Sequence, residues 1–248
     1  MSDARTPLIL HIETGTDVCS VALSQGDTLL AIKENGEGRT HAQLLAVFID
    51  ALLREQHCTA HDLAAVAVSE GPGSYTGLRV GVSTAKGICY GCQKPLIAVN
   101  SLQSLACIAI ERALLPSPDA LIAPMIDARR MEVYTALFDA SGQQRTPTAA
   151  KIIDEHSFAE ILPQRHLLFV GDGAEKCRAA LTHPAAHFAP LRASAAGMVK
   201  LAVSAFAQQQ FTDAAYFEPF YLKDFVAIPP KNGERAKGGN TAGHYCKL

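Results

Sequence analysis

No strong positive field runs through this chain. Lys and Arg number 22 against 24 Asp and Glu, a formal net charge of -2. So balanced a chain lacks the electrostatic footprint of a protein that binds nucleic acid by itself, and the pair Arg129-Arg130 reads as a solvated turn. No uninterrupted apolar run is long enough to cross a bilayer. The opening Met1-Ser2-Asp3-Ala4-Arg5-Thr6-Pro7 lacks the pattern of an export signal. Seven cysteines at irregular spacing do not make a disulfide framework, so reduced thiols in a cytoplasm are expected. Cys89 and Cys92 form one CxxC inside a helical segment, with no second ligand pair to close a zinc site.

What is present is an ordinary globular composition, 48% hydrophobic and 19% charged over 248 residues. That length suffices for two modest lobes with real cores. Strands are expected at Pro7 to Glu13, Val18 to Leu23 and Thr28 to Lys33, with Gly15 and Gly26 in the turns. A helix follows over His41 to Glu55, then a strand at Val66 to Ser69, a helix reaching about Gly91, a strand at Pro95 to Val99 and a helix from Ser101 to about Leu114. The second half starts the same way. Leu121 to Asp127 resembles Leu8 to Glu13: each is an apolar run that ends in an acid before a hairpin, and Val133 to Phe138 mirrors Cys19 to Ser24. A strand at Leu167 to Val170, a turn at Gly171-Asp172-Gly173 and helices at Ala174 to Leu181 and Ser194 to Gln209 complete it. The expected organisation is a first lobe over 1–115, a second over 116–228 and a disordered polar tail over 229–248. Hairpins followed by strand–helix alternation imply mixed sheets covered by helices.

The densest information lies between Val66 and Val82, where Gly71, Gly73, Gly77 and Gly81 sit in a strand–turn–helix stretch. Glycine takes backbone angles that a Cβ forbids, so such a turn can hold an anion or press closely on another segment. The spacing is similar to a dinucleotide turn. However, it follows the fourth strand rather than the first, and the next strand ends in Val99-Asn100 with no acid for a ribose. Ser74 is not a nucleophile elbow, because Pro72 stands where a glycine is required. His57 and His61, like His183 and His187, read as surface histidines, since His183-Pro184 breaks a helix and no Asp completes either set. No metal site is expected.

Association has better support. In the helix 41–55 only Gln43, Asp50 and Arg54 form a polar stripe, leaving more apolar surface than one sheet can cover. The helix 79–91 carries Gly81, Ser83, Thr84, Ala85, Gly87 and Gly91. Each glycine inside a helix costs about 0.8–1 kcal/mol relative to alanine, a cost that close backbone packing offsets. The cover is either a second polypeptide or the chain's own second lobe.

These residues carry a resemblance. Glu70-Gly71-Pro72-Gly73-Ser74-Tyr75-Thr76-Gly77-Leu78-Arg79-Val80-Gly81, with Ile12-Glu13-Thr14, His41-Ala42-Gln43-Leu44-Leu45 and Asp127-Ala128-Arg129-Arg130-Met131-Glu132-Val133-Tyr134, resembles the bacterial TsaB family, also called YeaZ, over about residues 7–225. The resemblance implies an α/β fold of the actin-like ATPase (ribonuclease H-like) class with two duplicated lobes. It implies a non-catalytic subunit that binds and activates TsaD in forming the threonylcarbamoyl group on the adenosine beside the anticodon of tRNAs reading ANN codons. A TsaE-like ATPase joins that complex, tRNA is reached only through it, and a lone chain forms a homodimer. The alternatives are a stand-alone ATPase or kinase-like enzyme and a glycoprotease-like peptidase.

By the same resemblance, TsaD carries a His-x-x-x-His metal motif where this chain has Ser101 and Leu105, and leucine has no donor atom. No intrinsic cofactor is therefore expected, ATP and metal belonging to the partner subunits. The implied partner surface comprises His41, Leu44, Leu45, Phe48, Leu52, Gly73, Tyr75, Arg79, Gly81, Thr84, Gly87 and Gly91. A degenerate nucleotide cleft is implied at Glu13, Thr14, Gly15, Asp127, Gly171 and Gly173, with Arg129 filling the second phosphate turn.

Overall fold

A computed structural model describes residues 6–37 and 40–223; the polar tail expected over 229–248 lies outside the described residues. The first sheet is built from β1 (Leu8–Glu13), β2 (Cys19–Gln25), β3 (Thr28–Asn35), β4 (Ala65–Gly71) and β5 (Leu96–Asn100), in the order β3-β2-β1-β4-β5. β1, β2 and β3 form antiparallel hairpins, whereas β4 and β5 run parallel to β1. The second sheet contains β6 (Leu121–Asp127), β7 (Glu132–Thr135), β8 (Ala149–Ile152), β9 (Leu167–Val170) and β10 (Ala186–Ala189). Its order is β10-β9-β6-β7-β8, with β6–β7 and β7–β8 antiparallel and β6–β9 and β9–β10 parallel. Strand for strand this is the topology of the first sheet. The duplication expected from two acid-ended strands is thus a duplication of architecture, with β1 and β6 at the two centres.

Among the described residues four α-helices cover the sheets: α1 (His41–Glu55), α2 (Tyr75–Cys92), α3 (Ser101–Glu111) and α4 (Val199–Ala207). β1 is buried on both faces, as a central strand must be. Leu10 and Ile12 join Leu45, Ile49, Leu52, Val82 and Ala85 beneath α1 and α2. Ile9, with Ala65, Ala67, Ile97 and Val99, joins Met198 and Ala202 on the other face.

The helices do not respect the division expected at residue 115. α3, from the first half, buries Leu102, Leu105, Ile108 and Ala109 against Ile122, Ile126, Phe138 and Leu168 of the second. α4, from the second half, closes the first sheet. A tight turn at Ala195–Met198 presses on α3. There a Cβ on Gly197 would stand 2.5 Å from Ile108 Cγ1 and 2.6 Å from the Ser104 carbonyl oxygen. Each half lends a helix to the other sheet, which explains how apolar strands buried on both faces find cover in so short a chain.

Local differences have simple causes. The stretch expected as a helix at 174–181 is a single tight turn at Glu175–Cys177. The strand expected through Phe138 ends at Thr135, and the helix expected from Ser194 begins as the tight turn before α4. β8 and β10 are four-residue outer strands that present no apolar alternation. Among the described residues no helix is long and apolar enough to cross a membrane.

Candidate functional site: a filled cleft and an open helix face

The turns at the carboxyl ends of β1, β6 and β9 come together at the place of the implied cleft, with Glu13, Asp127 and Asp172 as neighbours. Glu13 ends β1 fully buried. Its Oε1 accepts a 2.6 Å hydrogen bond from the Gly15 amide, whereas Oε2 has no partner. Burial pushes its carboxyl up to about 7, against the backbone and Ser69 hydrogen bonds that pull it down. The hydroxyls of Thr14 and Ser101 are also buried without a partner.

The glycine-rich turn after β4 is occupied by this hairpin. A Cβ on Gly73 would stand 2.2 Å from the Gly15 carbonyl oxygen, one on Gly77 2.1 Å from that of Thr14, and one on Gly81 2.2 Å from Thr14 Oγ1. The Ser74 amide donates to the Gly15 carbonyl at 2.7 Å, and the Ser74 hydroxyl caps α2 by accepting from the Gly77 amide at 3.3 Å. Of the two uses open to such a turn, close packing wins, and the segment packed there is the chain's own Thr14-Gly15. Gly73 and Gly81, expected on a partner surface, are therefore withdrawn into this contact.

The second hairpin is filled differently. Arg129, expected in the space, is exposed. Lys176 takes that role: its ammonium contacts the Asp127 carboxylate and donates to the carbonyls of Arg130 and Glu132 at 2.7 Å each. The turn Gly171-Asp172-Gly173 closes on β6. Gly171 has φ +104°, a Cβ there would meet the Met125 carbonyl oxygen at 2.4 Å, and the Asp127 amide donates to Asp172 Oδ1 at 3.1 Å. Desolvation by the crowded turns around it, then repulsion by Asp17 and Asp127, pushes the carboxyl of Asp172 up to about 6, although the residue as a whole is exposed. The cleft thus gathers Glu13, Asp17, Asp127 and Asp172, answered by Lys176 and by Arg192 at 3.9 Å from Asp17. Polyphosphate would meet carboxylates here, and the ammonium nearest the second turn is already committed.

On the outer side, α1 turns His41, Leu45, Ile49, Leu52 and Leu53 into the core. A His41 ring nitrogen lies 3.2 Å from the Val18 carbonyl oxygen. His41, Leu45 and Leu52, expected on the partner surface, belong instead to the stripe facing the sheet. Leu44 and Phe48 are half-buried at the flank of that core. What remains outward is Ala42, Ala46 and Val47, the last 58% exposed. α2 buries Leu78, Val82, Ala85 and Cys89 and leaves Ser83, Gly87 and Gly91 outward, Thr84 half-buried, and Tyr90 90% exposed. Nothing lies within 4 Å of a Cβ built on Gly87 or Gly91. Unlike Gly73, Gly77 and Gly81, these two glycines serve no contact among the described residues.

Tyr75 and Arg79 lie at a seam. The segment 212–221 returns along the first lobe, with the Thr212 amide donating to the Leu96 carbonyl at 2.8 Å and the Phe220 amide to that of Glu70 at 2.7 Å. Lys86 donates to the carbonyls of Ala215 and Phe217 at 3.2 and 3.1 Å. Tyr221 stacks on Tyr75 with ring centroids 4.7 Å apart, and the Arg79 guanidinium covers the Tyr75 ring at 5.4 Å. Sequence reasoning missed Lys86 and Tyr90, and counted Val47 only among the surplus apolar residues of α1. An isolated cation gives no local sign of a strap 130 positions away, but the failure of Tyr90 to fit the buried period of α2 was legible. Ser101 and Leu105, at the place of the implied metal motif, are both buried. His187 pairs with His166 at 2.8 Å.

Two mixed sheets of identical topology, each centred on an acid-ended strand and sharing their covering helices, define the two-lobed actin-like α/β class. The family model of TsaD, tRNA N6-adenosine threonylcarbamoyltransferase, matches residues 34–231. The chain belongs to this family, in its TsaB (YeaZ) branch. It is 37% identical over 130 residues to the tRNA threonylcarbamoyladenosine biosynthesis protein TsaB of Bacillus subtilis, covering 52% of this chain and 54% of that protein. It is 35% identical over 128 residues to the Escherichia coli protein of the same description, covering 52% and 53%. The chain spans about half the length of the curated relatives it matches. The solved structure of YeaZ from Pseudomonas aeruginosa superposes with a TM-score of 0.76 at 27% identity, over 87% of this chain and all of that one.

Proposed function

We propose that this chain is an accessory, non-catalytic subunit in the formation of threonylcarbamoyladenosine beside the anticodon of tRNAs reading ANN codons. It works in the cytoplasm by docking its α1–α2 face on a TsaD-like subunit, which performs the transfer. A TsaE-like ATPase joins them, tRNA is reached only through the assembly, and two copies of the chain pair through the same face when the partner is missing. The observation that carries this reading is the face itself. Gly87 and Gly91 lie open in the second half of α2, flanked by exposed Tyr90, while the glycines of its first half are consumed within the chain. The relatives' descriptions support the pathway. The committed ammonium of Lys176 and the turn packed into the glycine loop support a cleft that needs no nucleotide of its own, ATP and metal residing in the partners.

The test is size exclusion of the purified chain with a TsaD-like subunit of the same organism. Gly87→Arg and Val47→Asp place a long cation and a charge on the outward face without touching the core, so both are expected to abolish co-elution with an unchanged far-UV circular dichroism spectrum. Co-elution of both variants at wild-type affinity overturns the docking face. Micromolar ATP binding with turnover by the isolated chain overturns the accessory role.

A further inference from the structure

Between the β7–β8 hairpin and the turns of residues 156–161 lies a cavity of about 460 Å³, a size typical of small-molecule sites. None of its lining residues belongs to the cleft or to the α1–α2 face. Leu137 and Ile161 give it apolar wall. Thr135 lies opposite Ala149 in the β7–β8 ladder and is only 5% exposed, its hydroxyl sealed beneath the wall.

The polar group is Lys151, half-buried on β8. Its ammonium stands 4.0 Å from the centroid of the Phe158 ring, and no carboxylate among the described residues pairs with it. Phe158 is fixed in place: it packs on Phe169 with centroids 5.3 Å apart and adopts φ +65°, a conformation uncommon for an aromatic residue. The cavity therefore offers a cation that has an aromatic neighbour but no carboxylate partner, beside an apolar wall. Exposed Glu160 and His156 stand at its mouth.

We propose that this cavity binds a small organic anion with an apolar body. Lys151 receives the anionic group, and Leu137 with Ile161 covers the apolar part. The ligand class is a carboxylate or sulfonate on a short aliphatic or aryl frame. Free inorganic anions do not fit, because they would leave the apolar wall uncovered.

The test uses the full chain and anilinonaphthalene sulfonate, followed by its fluorescence. The wild type is expected to give a saturable enhancement that octanoate displaces and octanol, with the same apolar body and no charge, does not. Lys151→Met is expected to weaken binding about tenfold, the scale of one lost charge-assisted contact, and Lys151→Arg to restore it. Ala149→Trp, on the exposed rim, is expected to abolish it while near-native circular dichroism and urea midpoint show the fold intact. Absence of saturable binding by the wild type, equal displacement by octanol, or equal affinity of Lys151→Met overturns the proposal.

Discussion

Gly77 and Gly87 are both glycines of α2, and the same substitution should move stability in opposite directions. In a helix, Gly→Ala ordinarily stabilises by up to about 1 kcal/mol, because alanine surrenders less backbone entropy. Gly87 has open space around its missing Cβ, so Gly87→Ala should realise most of that gain. Gly77 does not have the room. Its Cβ would stand 2.1 Å from the Thr14 carbonyl oxygen and 3.3 Å from Ser74 Cβ, and the oxygen belongs to backbone that is itself hydrogen-bonded into the Glu13–Gly15 turn. Relief requires α2 to move away from β1 by about an ångström, straining the Ser74–Gly15 bond. Overpacking of this kind costs about 1–3 kcal/mol. Subtracting the propensity gain leaves Gly77→Ala destabilised by up to about 2 kcal/mol, so the two variants should differ by roughly 1–3 kcal/mol. Urea denaturation followed by far-UV circular dichroism reads this directly, since an unchanged m-value makes the midpoint shift a stability shift. Equal shifts of the same sign would refute the argument that the first half of the glycine series exists for the Thr14-Gly15 turn.

Two further outcomes follow from burial. Leu45 is 1% exposed and Val47 58%, so Leu45→Ala should cost about 2–5 kcal/mol through a cavity, whereas Val47→Ala should stay within about 0.5 kcal/mol; thermal melts of both variants decide whether α1 presents the stripe described. Glu13, pushed up to about 7 from 4.5 by burial, holds its proton more tightly folded than unfolded. Its contribution is therefore fully favourable below about pH 4.5 and is lost as pH rises toward 7. Glu13→Gln, which keeps the acceptor for Gly15, should flatten that decline and raise stability at alkaline pH by a few kcal/mol, leaving the smaller slope of Asp172. A urea midpoint for the variant that falls as steeply with pH as the wild type would contradict the burial of this carboxyl.

Much of the architecture was legible because its signals are local. β1 and β6 announce themselves as apolar runs ended by an acid, and their likeness predicted the repeated sheet that β3-β2-β1-β4-β5 and β8-β7-β6-β9-β10 embody. What stayed hidden depends on distant parts of the chain. The exchange of α3 and α4 between sheets leaves no trace in either helix, since both carry the apolar residues that any sheet would accept. β8, Ala149-Ala150-Lys151-Ile152, acquires its strand conformation from pairing with β7 rather than from β-propensity. On α1, counting apolar residues exaggerated the free surface. Leu44 and Phe48 lie at the flank of the first core, which a one-dimensional pattern cannot distinguish from open solvent. Gly73, Gly81 and Gly87 look alike in sequence, and only the position of Thr14 and Gly15 separates them.

That separation bears on the proposal that this chain needs no nucleotide of its own. A nucleotide cleft in a duplicated fold needs two acid-ended hairpins with room above each turn for phosphate, together with freedom for the lobes to close around it. Here the room above the first turn is taken by α2, pressed to within contact distance by Gly73, Gly77 and Gly81. The second turn is bridged by Lys176, whose ammonium ties Asp127 to two carbonyls of the β6–β7 loop. The exchanged helices bind the sheets to each other, with Gly197 seated against Ile108 and Ser104. Each of these contacts ties the two halves together and would impede a catalytic cycle of opening and closing. The same ties agree with the accessory role proposed above, because a face whose backbone is already fixed loses little conformational entropy when a partner covers it. On the proposed docking, the glycines that remain open, Gly87 and Gly91, are the ones whose cost in the free chain is recovered in the assembly.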